Sequence, residues 1–295
     1  MSRILNIGSI NIDYVYSVPH FVRGGETLSA ESRQIFPGGK GMNQSVALAR
    51  SGGSVTHAGM IGDDGKYLLD VLQEAGVDTG LVAIGNEPTG HAIIQVNGEG
   101  QNSILLFPGA NQNLAPDFID RVLAPFRKDD ILVLQNEVNC VGYAIEAAKA
   151  KGMIVVFNPS PFGSEIESYP LEMVDVWLLN EIEGEALTGM TSAGDIVNTM
   201  ASIYPNAIIV LTLGAEGVLC HSRGNELRID GIKVQAVDTT AAGDTFTGYF
   251  VGCLAQGIDI YEALKLANIA ASISVSRVGA AVSIPTWDEV ASKVS

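Results

Sequence analysis

The sequence predicts an α/β fold in which a mostly parallel central sheet is flanked by helices on both faces. Short apolar runs recur along the chain, each suited to one strand buried on both faces: ILNIGSI, VTHAGMIG, DILVLQNE, MIVVFNPS, VDVWLLN and AIIVLTLG. Between them lie helical patterns such as NQSVALARSGG, YLLDVLQEAGV, YAIEAAKAKG and DIVNTMASIYP. Several of these patterns stop at glycine, the usual residue after a helix. Strand followed by helix, repeated, favours a parallel sheet covered on both sides.

Two stretches interrupt this alternation and predict a small antiparallel sheet, inserted as a lid over the strand ends. Residues 13–36 and 89–107 are rich in strand formers and lack a helical pattern. In the second stretch, Asn97-Gly98 stands between two runs of strand formers, the strongest short-range signal for a hairpin. We therefore predict an α/β domain of residues 1–12, 37–88 and 108–295 and a discontinuous β lid of residues 13–36 and 89–107.

The size and charge of the chain limit its function. Its 295 residues, 47% of them hydrophobic, fit one large α/β domain with an insertion. A formal net charge of −16 repels phosphate backbones and anionic membranes, so we expect neither nucleic acid nor membrane as a partner. The net charge does not exclude an anionic small substrate, because helix N-termini supply local positive potential.

The cysteines and the N-terminus predict a cytoplasmic protein. Cys140, Cys220 and Cys253 lie far apart in no C-x-x-C spacing, which favours a reducing compartment over disulfides or a cysteine zinc site. The first apolar run is broken by Asn6 and Gly8 and is too short for an export signal or a membrane span.

Polar residues and glycines follow the predicted strands, at the edge where open α/β sheets bind ligands. They are Asn11, Asp13, Glu137, Asn158, Asn180, Thr212 and Gly214. Any one of them alone is most simply a cap or a turn residue. Together at one edge of the sheet they indicate a ligand site.

The stretch PGGKGMNQSVALARSGG, residues 37–53, is a glycine-rich turn that leads into a helix. Its glycines permit close backbone approach, the helix N-terminus offers free N–H groups, and Lys40 adds a cation. It has the spacing of neither a Walker A loop nor a dinucleotide fingerprint. A flexible loop before a helix start, with Asn43 facing water, is the structural alternative.

Two further stretches are open to both structural and functional interpretations. In LNEIE, Asn180 precedes Glu183 by three residues, which suits a capping box and equally suits two groups near Mg²⁺ and its waters. In DTTAAGDTFTG, the small residues 241–243 offer backbone N–H groups to a developing anion at a helix start. Asp244 follows in the first turn, where it can accept a proton. By pattern alone, Asp244 is more often a cap than a base.

With GGKGMNQ near one end and DTTAAGDTF near the other, the sequence resembles the two signatures of the PfkB carbohydrate kinase family, and within it the ribokinases. NEIE, TLGAEG and the inserted β segments stand in the family's order, so the resemblance covers essentially the whole chain. It implies a ribokinase-like fold and an ATP-dependent sugar kinase. The implied reaction is in-line phosphoryl transfer to the primary hydroxyl of a free pentose, D-ribose giving ribose 5-phosphate.

The resemblance implies a role for each matching residue. Asp244 is the implied base, beside an anion hole of Ala241, Ala242 and Gly243. The implied sugar contacts are Asn11, Asp13, Gly39, Lys40, Asn43, Glu137 and Asp244. The implied nucleotide contacts are Asn180, Thr212, Gly214, Gly217, Gly243 and Asn268. For Asn268, a polar residue on a mostly apolar helix, a structural role remains an alternative.

The resemblance also implies cofactors and an assembly. ATP is accompanied by Mg²⁺, on which Glu183 acts indirectly, and by K⁺ as an activator. The implied K⁺ site matches Asp238, Thr240, Ser274, Arg277, Gly279 and Ser283, with most ligands supplied by backbone carbonyls. Lids in this family often pair two subunits, so we expect a homodimer through the β lid.

The identity of the sugar stays open at this stage. Near the pocket Lys40 is the one obvious cation, with Arg23 and Arg33 undecided, which argues against a sugar phosphate as acceptor. Met42, where ribokinases usually have alanine, and Gln95 on the lid leave deoxyribose, fructose or a nucleoside as alternatives. A non-catalytic sugar-binding regulator on the same fold is a further alternative, although the base and the anion hole are intact.

Overall fold

Two β-sheets and the helices around them make up the structure, a computed structural model that describes residues 1–294. The strands in chain order are β1 (Ile4–Ile7), β2 (Asn11–Ser17), β3 (Ser32–Gly38), β4 (Val55–Ile61), β5 (Asp78–Ile84), β6 (Gly90–Val96), β7 (Asn102–Phe107), β8 (Ile131–Gln135), β9 (Ile154–Asn158), β10 (Val176–Asn180), β11 (Ile208–Thr212), β12 (Gly217–Ser222) and β13 (Asn225–Asp230). The helices are α1 (Lys40–Arg50), α2 (Tyr67–Glu74), α3 (Pro116–Leu123), α4 (Val141–Ala150), α5 (Glu181–Thr188), α6 (Ala193–Ile203), α7 (Ala242–Ala255), α8 (Ile260–Ser274) and α9 (Trp287–Ala291).

The larger sheet has nine strands in the order β13-β12-β11-β10-β9-β8-β1-β4-β5. The strands from β11 to β5 are parallel, and β12 and β13 extend the other edge as antiparallel strands. Each of the apolar runs picked out in the sequence contains one of the parallel strands. The predicted mostly parallel sheet is therefore confirmed.

Helices cover both faces of this sheet. Successive side chains of a strand point to opposite sides, so the continuous apolar runs give the sheet two apolar faces to bury. In β8, Ile131 and Val133 pack into a core shared with α1, α2, α7, α8 and α9. Leu132 and Leu134 pack into a second core shared with α3, α4 and α6. Among residues 1–294, no helix is both long and apolar enough to cross a membrane.

The smaller sheet has the strand order β3-β2-β6-β7. Its β2/β3 and β6/β7 pairs are antiparallel, and the predicted hairpin is confirmed, with residues 97–101 as its loop. The central pair, β2 with β6, is parallel. Both strands enter the smaller sheet from the carboxyl edge of the larger one, so they run in the same direction.

Helices α1 and α7 lie side by side at very close range. Gly248 and Gly252, one turn apart on α7, face Ala47 of α1 and Ser51, the residue that follows α1. A Cβ added to Gly248 would lie 2.8 Å from the backbone nitrogen of Leu48, closer than real side chains allow. Glycine is therefore needed on this face of α7, and the contact fixes the first turn of α7 relative to the first turn of α1.

The first turn of α1 also packs tightly against the turn after β1. The N–H of Met42 donates to the carbonyl of Ser9 at 2.8 Å. A Cβ on Gly41 would lie 2.5 Å from the carbonyl carbon of Gly8 and 2.6 Å from its Cα. The glycines of GGKG thus bring the helix start against the carboxyl end of β1.

We predict that Gly41→Ala lowers the free energy of unfolding by about 1–3 kcal/mol, although alanine is the better helix former, because its Cβ would collide with backbone at Gly8. Gly194→Ala is the matched control. Gly194 is likewise the second residue of its helix, and a Cβ there would meet no atom within 4 Å. That variant should gain up to about 1 kcal/mol. Urea denaturation measures both changes, and equal stability of the two variants would contradict the packing argument.

Candidate active site

The carboxyl ends of the parallel strands place the predicted polar residues along one edge. Asn158 ends β9 in register with Gln135 at the end of β8, and Asn180 and Thr212 pair at the ends of β10 and β11. Glu137 follows two residues after Gln135. The starts of α1 and α7 lie above this edge, so helix N-termini and strand ends face one another.

Asp244 is the third residue of α7 and is buried, with 4% of its surface exposed. The helix cap is Ala241, and no side chain closes that end of the helix, so the interpretation of Asp244 as a cap is wrong. Its carboxylate instead reaches across to α1, where it accepts hydrogen bonds from Asn43 Nδ2 at 3.1 Å and Gln44 Nε2 at 3.0 Å. The close approach of the two helices is what brings these groups together.

Asn43 keeps one polar atom unused. Although the residue is buried, its Oδ1 has no hydrogen-bond partner among residues 1–294. A buried amide oxygen without a partner is costly unless a ligand supplies one. The alternative in which Asn43 faces water is therefore wrong, and the geometry suits a ligand hydroxyl beside Asp244.

Glu137 and Lys40 form a second charged group next to Asp244. Glu137 accepts hydrogen bonds from the backbone N–H of Lys40 at 3.0 Å and from the hydroxyl of Ser9. Gly39, the cap of α1, has no side chain, so Glu137 supplies an anion to the start of this helix from another part of the chain.

Three carboxylates act on the ammonium of Lys40 through their charge. Burial by itself would lower the pKa of Lys40, but attraction from Asp244, Glu137 and Glu183 outweighs it, and the net shift is upward. Lys40 therefore stays protonated and partly balances the acidic side chains of the site.

Asp13 lies in β2, where the smaller sheet meets the larger one. Burial, and then repulsion from Glu137, raises the pKa of Asp13 from 3.8 to about 7. Two residues earlier, Asn11 is held by Asn111, whose Nδ2 donates to Asn11 Oδ1 at 2.7 Å. This bond turns the amide of Asn11 so that its own N–H groups remain for a ligand.

Three cavities are lined by residues of this edge or of the smaller sheet. A small one of about 60 Å³ is lined by Lys40, Asn158, Asn180, Glu183, Thr212, Gly243 and Asp244, among others. A cleft of about 460 Å³ lies between the smaller sheet and the loops of residues 236–240 and 278–280, and Asp13 lines it. The third, of about 380 Å³, includes all the predicted nucleotide contacts in its lining: Asn180, Thr212, Gly214, Gly217, Gly243 and Asn268. The small cavity, lined by Asp244, also shares Asn180, Thr212 and Gly243 with the third.

Residues 241–243 form the N-terminus of α7, where backbone N–H groups lack partners within the helix. The N–H of Ala242 donates to the carbonyl of Thr239 at 3.2 Å. A Cβ on Gly243 would meet no atom within 4 Å, so this helix start opens into free space. Such a terminus suits an anionic group.

Asn180 and Glu183 form a capping box at the start of α5. Asn180 Oδ1 accepts from the N–H of Glu183 at 3.0 Å, and Glu183 Oε2 accepts from the N–H of Asn180 at 3.0 Å. The structural interpretation of LNEIE is confirmed. Glu183 remains buried and lines the small cavity, so its carboxylate also faces the region shared with Lys40 and Asp244.

The residues predicted for a monovalent cation lie on two adjoining loops. Asp238 accepts hydrogen bonds from the N–H groups of Thr240 and Gly279, both at 3.0 Å. Burial would raise the pKa of Asp238, but a hydrogen bond from the Thr240 hydroxyl and these two N–H bonds outweigh it and lower the pKa. Ser274 and Ser283 share a hydrogen bond of 2.8 Å. The side chain of Arg277 turns away to pair with Glu289 at 2.5 Å, so this residue can offer only its carbonyl.

Several residues that left the sugar undecided lie away from the site. Met42 is fully buried in the core beneath α1. Gln95 and Arg33 both pair with Tyr16, on the face of the smaller sheet opposite Asp13, and Gln95 accepts from the N–H of Val22 at 3.0 Å. Met42 therefore lies in the core and not in the lining of the three cavities, and Gln95 and Arg33 lie on the face of the smaller sheet turned away from Asp13. The influence of Met42 and Gln95 on the choice of sugar stays a hypothesis.

Sequence reasoning missed the residues that support the site from below. Asn6 and Gln135 are fully buried within strands, and Asn111 is buried beneath Asn11. The available signal was an amide inside an apolar run, at Asn6 in ILNIGSI and at Gln135 in DILVLQNE, since a buried amide needs partners.

We predict that Asp13→Asn raises the stability of the ligand-free protein at pH 8 and that this gain shrinks towards pH 4. The folded chain holds a proton on Asp13 up to a pKa of about 7, whereas the unfolded chain releases it near 3.8. Stability is therefore lost as the pH rises through this window, at about 1.4 kcal/mol per pKa unit. Denaturation at pH 5 and pH 8 measures the effect, and parallel pH profiles for the two proteins would refute it.

Comparison with known proteins agrees with this geometry. Residues 1–287 match the model of the pfkB family carbohydrate kinases. A ribokinase of Haemophilus influenzae is 40% identical over 292 residues, covering 96% of this chain and 95% of the relative. A deoxyribokinase of Salmonella typhi is 35% identical over 292 residues, again covering 96% of this chain and 95% of the relative.

Among solved structures, an Arabidopsis thaliana ribokinase complexed with ribose and ATP superposes with a TM-score of 0.87. It is 30% identical, and the match covers 100% of both chains. The family match, the relatives and the fold agree over nearly the whole length. The chain belongs to the pfkB family of carbohydrate kinases.

Proposed function

We propose that the chain is an ATP-dependent ribose kinase that transfers the γ-phosphoryl group to the primary hydroxyl of D-ribose. The observation that carries the proposal is the position of Asp244. Its buried carboxylate lines the small cavity, beside Asn43, Lys40 and the N-terminus of α7. A base therefore stands between a polar sugar pocket and a helix terminus suited to phosphate.

In this mechanism Asp244 accepts the proton of the sugar hydroxyl as that oxygen bonds to the γ-phosphorus. The bond between this phosphorus and the bridging oxygen breaks, and ADP leaves. Asn11, Asp13, Asn43 and Glu137 hold the sugar hydroxyls, and Lys40 contributes positive charge. The N–H groups of residues 241–243 stabilise the negative charge on the transferring group. Fixing the two reactants in line supplies much of the rate enhancement.

The third cavity takes the nucleotide, since its volume and its mixed apolar and glycine lining suit a planar base and a phosphate chain. Mg²⁺ bound to the phosphates would neutralise charge during transfer. The buried carboxylate of Glu183 and the amide of Asn180 fit a hard cation that keeps most of its waters. No cluster of three or more His, Cys, Asp or Glu within residues 1–294 is arranged for a metal.

The loops at residues 238–240 and 274–283 fit K⁺. Asp238 supplies a carboxylate whose lowered pKa keeps it charged, and the hydroxyls of Ser274 and Ser283 and nearby carbonyls are oxygen ligands. These loops adjoin residues 241–243. A cation there would hold the N–H groups of the anion hole in place and would add positive potential beside them.

Ribose is the acceptor we favour. The name of the 40% identical relative and the ribose in the Arabidopsis complex support it. The pocket offers amides and carboxylates for hydroxyl groups, with Lys40 as its cation, and that lining does not suit a second phosphate. The deoxyribokinase of Salmonella typhi makes 2-deoxyribose the competitor to measure.

The smaller sheet is proposed to act as a lid and to join two subunits. Its edge strand β7 is apolar and open to solvent, with Leu105 at 67% exposed and Ile104 at 56%. An uncovered apolar edge strand favours pairing with another chain. A second copy, pairing lid to lid, would cover it.

We predict that the purified protein releases ADP when given ATP, D-ribose, Mg²⁺ and K⁺, and that Asp244→Ala lowers kcat roughly 10²- to 10⁴-fold, because the base is lost. Asp195→Ala is the matched control, since Asp195 is also the third residue of its helix but is exposed. It should retain full activity.

The same assay tests the acceptor and the activator. 2-Deoxyribose, fructose and a nucleoside are compared with ribose by kcat/KM, and KCl is replaced by tetramethylammonium chloride, which should slow turnover. The kinase proposal fails if no sugar or nucleoside stimulates ADP release.

We predict that the protein sediments as a dimer and that Leu105→Lys weakens the dimer roughly 10²- to 10⁴-fold, because each of the two subunits loses a buried leucine. Ile203→Lys is the control, since Ile203 is 53% exposed and lies on α6, outside the smaller sheet. A monomeric wild type, or a Leu105→Lys variant that sediments like Ile203→Lys, would exclude pairing through β7.

A further inference from the structure

The buried amide of Gln44 differs from its neighbour Asn43 in one respect. Asn43 keeps Oδ1 without a partner, whereas every polar atom of the Gln44 side chain is bonded. Its Nε2 donates to Asp244 Oδ1 at 3.0 Å and to Asn158 Oδ1 at 3.1 Å, and its Oε1 accepts from Gln135 Nε2 at 2.7 Å. Gln44 therefore has nothing left for a sugar, and its amide is committed to Asp244.

The direction of the Gln44 amide follows from chemistry. A carboxylate only accepts hydrogen bonds, so the nitrogen of Gln44 must face Asp244 and its oxygen must face Gln135. Gln135 must then present its nitrogen, which also donates to Asn6 Oδ1 at 2.9 Å. Asn158 is fixed in the same way, because its Nδ2 donates to the carbonyl of Leu178 at 2.8 Å.

The chain of donors continues into the core. Asn6 Nδ2 donates to Ser45 Oγ and to the carbonyl of Gly41, both at 2.8 Å. Ser45 bonds His57 Nδ1 at 2.7 Å, and burial lowers the pKa of His57 to about 4, so the ring is neutral and its Nδ1 can accept. Asn6, Gln44, Ser45, Gln135 and His57 are all fully buried. These side chains are shielded from bulk solvent, and each amide orients the next. Gln135 Oε1 and His57 Nε2 are the atoms of this network without a hydrogen-bond partner among residues 1–294.

We propose that Gln44 is a positioning residue that holds the Asp244 carboxylate in its reactive orientation, and that the donor chain through Gln135, Asn6 and Ser45 fixes the direction of its amide. The inference rests on the proposed kinase function. A sugar hydroxyl that meets the unused Oδ1 of Asn43 also lies beside Asp244 Oδ2, the carboxylate oxygen bonded by Asn43 Nδ2. The bond from Gln44 holds the other oxygen, Oδ1, so that Oδ2 is turned to the hydroxyl.

The test separates positioning from folding. Gln44→Met removes the bond at nearly constant volume and should lower kcat roughly ten- to hundredfold, with the KM values for ribose and ATP changed less than about threefold. Gln135→Met touches neither Asp244 nor the sugar and should lower kcat by a smaller factor. Gln256→Met is the control, since this amide donates to carbonyls of Ser51 and Gly252 at the other end of the α1/α7 contact. It should reduce stability without reducing kcat.

A double-mutant cycle gives the decisive measurement. In an Asp244→Asn background, Gln44→Met should cost no further activity, because its effect acts through the carboxylate. Thermal unfolding is measured for each variant, and the kinetics are measured well below its unfolding midpoint. If Gln44→Met does not fold, the isosteric variant Gln44→Glu replaces it. The added carboxylate of that variant should lower kcat at least as far. A wild type without sugar kinase activity refutes the proposed function itself. With an active wild type, an unchanged kcat in the Gln44 variant, or a loss that persists in the Asp244→Asn background, refutes the positioning role.

Discussion

The close contact between α1 and α7 is the constraint on which the site depends. Gly248 and Gly252 remove the side chains that would keep the helices apart, so the first turns of both helices meet above the ends of the parallel strands. Asp244 and its amide donors come from positions about 200 residues apart in the chain. Neither helix start could orient the carboxylate alone, because the bonds that fix it all cross between helices.

The site brings several acidic side chains together, and their burial and mutual repulsion lower the stability of the folded protein. Asp244, Glu137 and Glu183 act on a single ammonium, that of Lys40. The pKa of Asp13 is raised first by its burial and then by repulsion from Glu137. A ligand with several hydroxyl groups relieves this cost, because it donates hydrogen bonds where the protein offers mainly acceptors. The arrangement therefore favours a neutral polyol over a phosphorylated sugar, and it exchanges stability of the empty protein for ligand binding.

The sequence predicted those features that local patterns encode. Continuous apolar runs identified the buried parallel strands, and Asn97-Gly98 identified the hairpin, since both signals depend on neighbouring residues. Edge strand β5, with its mixed pattern of exposed and half-buried residues, escaped notice because none of its residues is fully buried, so it lacks the continuous buried run of the central strands. The parallel pairing of β2 with β6 depends on where the two strands leave the larger sheet, which no local pattern records. Asp244 looked like a helix cap until the packing of α1 gave its carboxylate two other partners.

One consequence concerns the strand that carries Asn11 and Asp13. β2 pairs along its whole length with β3 and β6, so these two side chains belong to the smaller sheet and not to the larger one. In the proposed role of this sheet as a lid, a motion that lifts it carries them away from Asp244, Lys40 and Glu137. Opening would then separate the proposed sugar contacts, and release of the sugar and of the product would depend on one and the same motion.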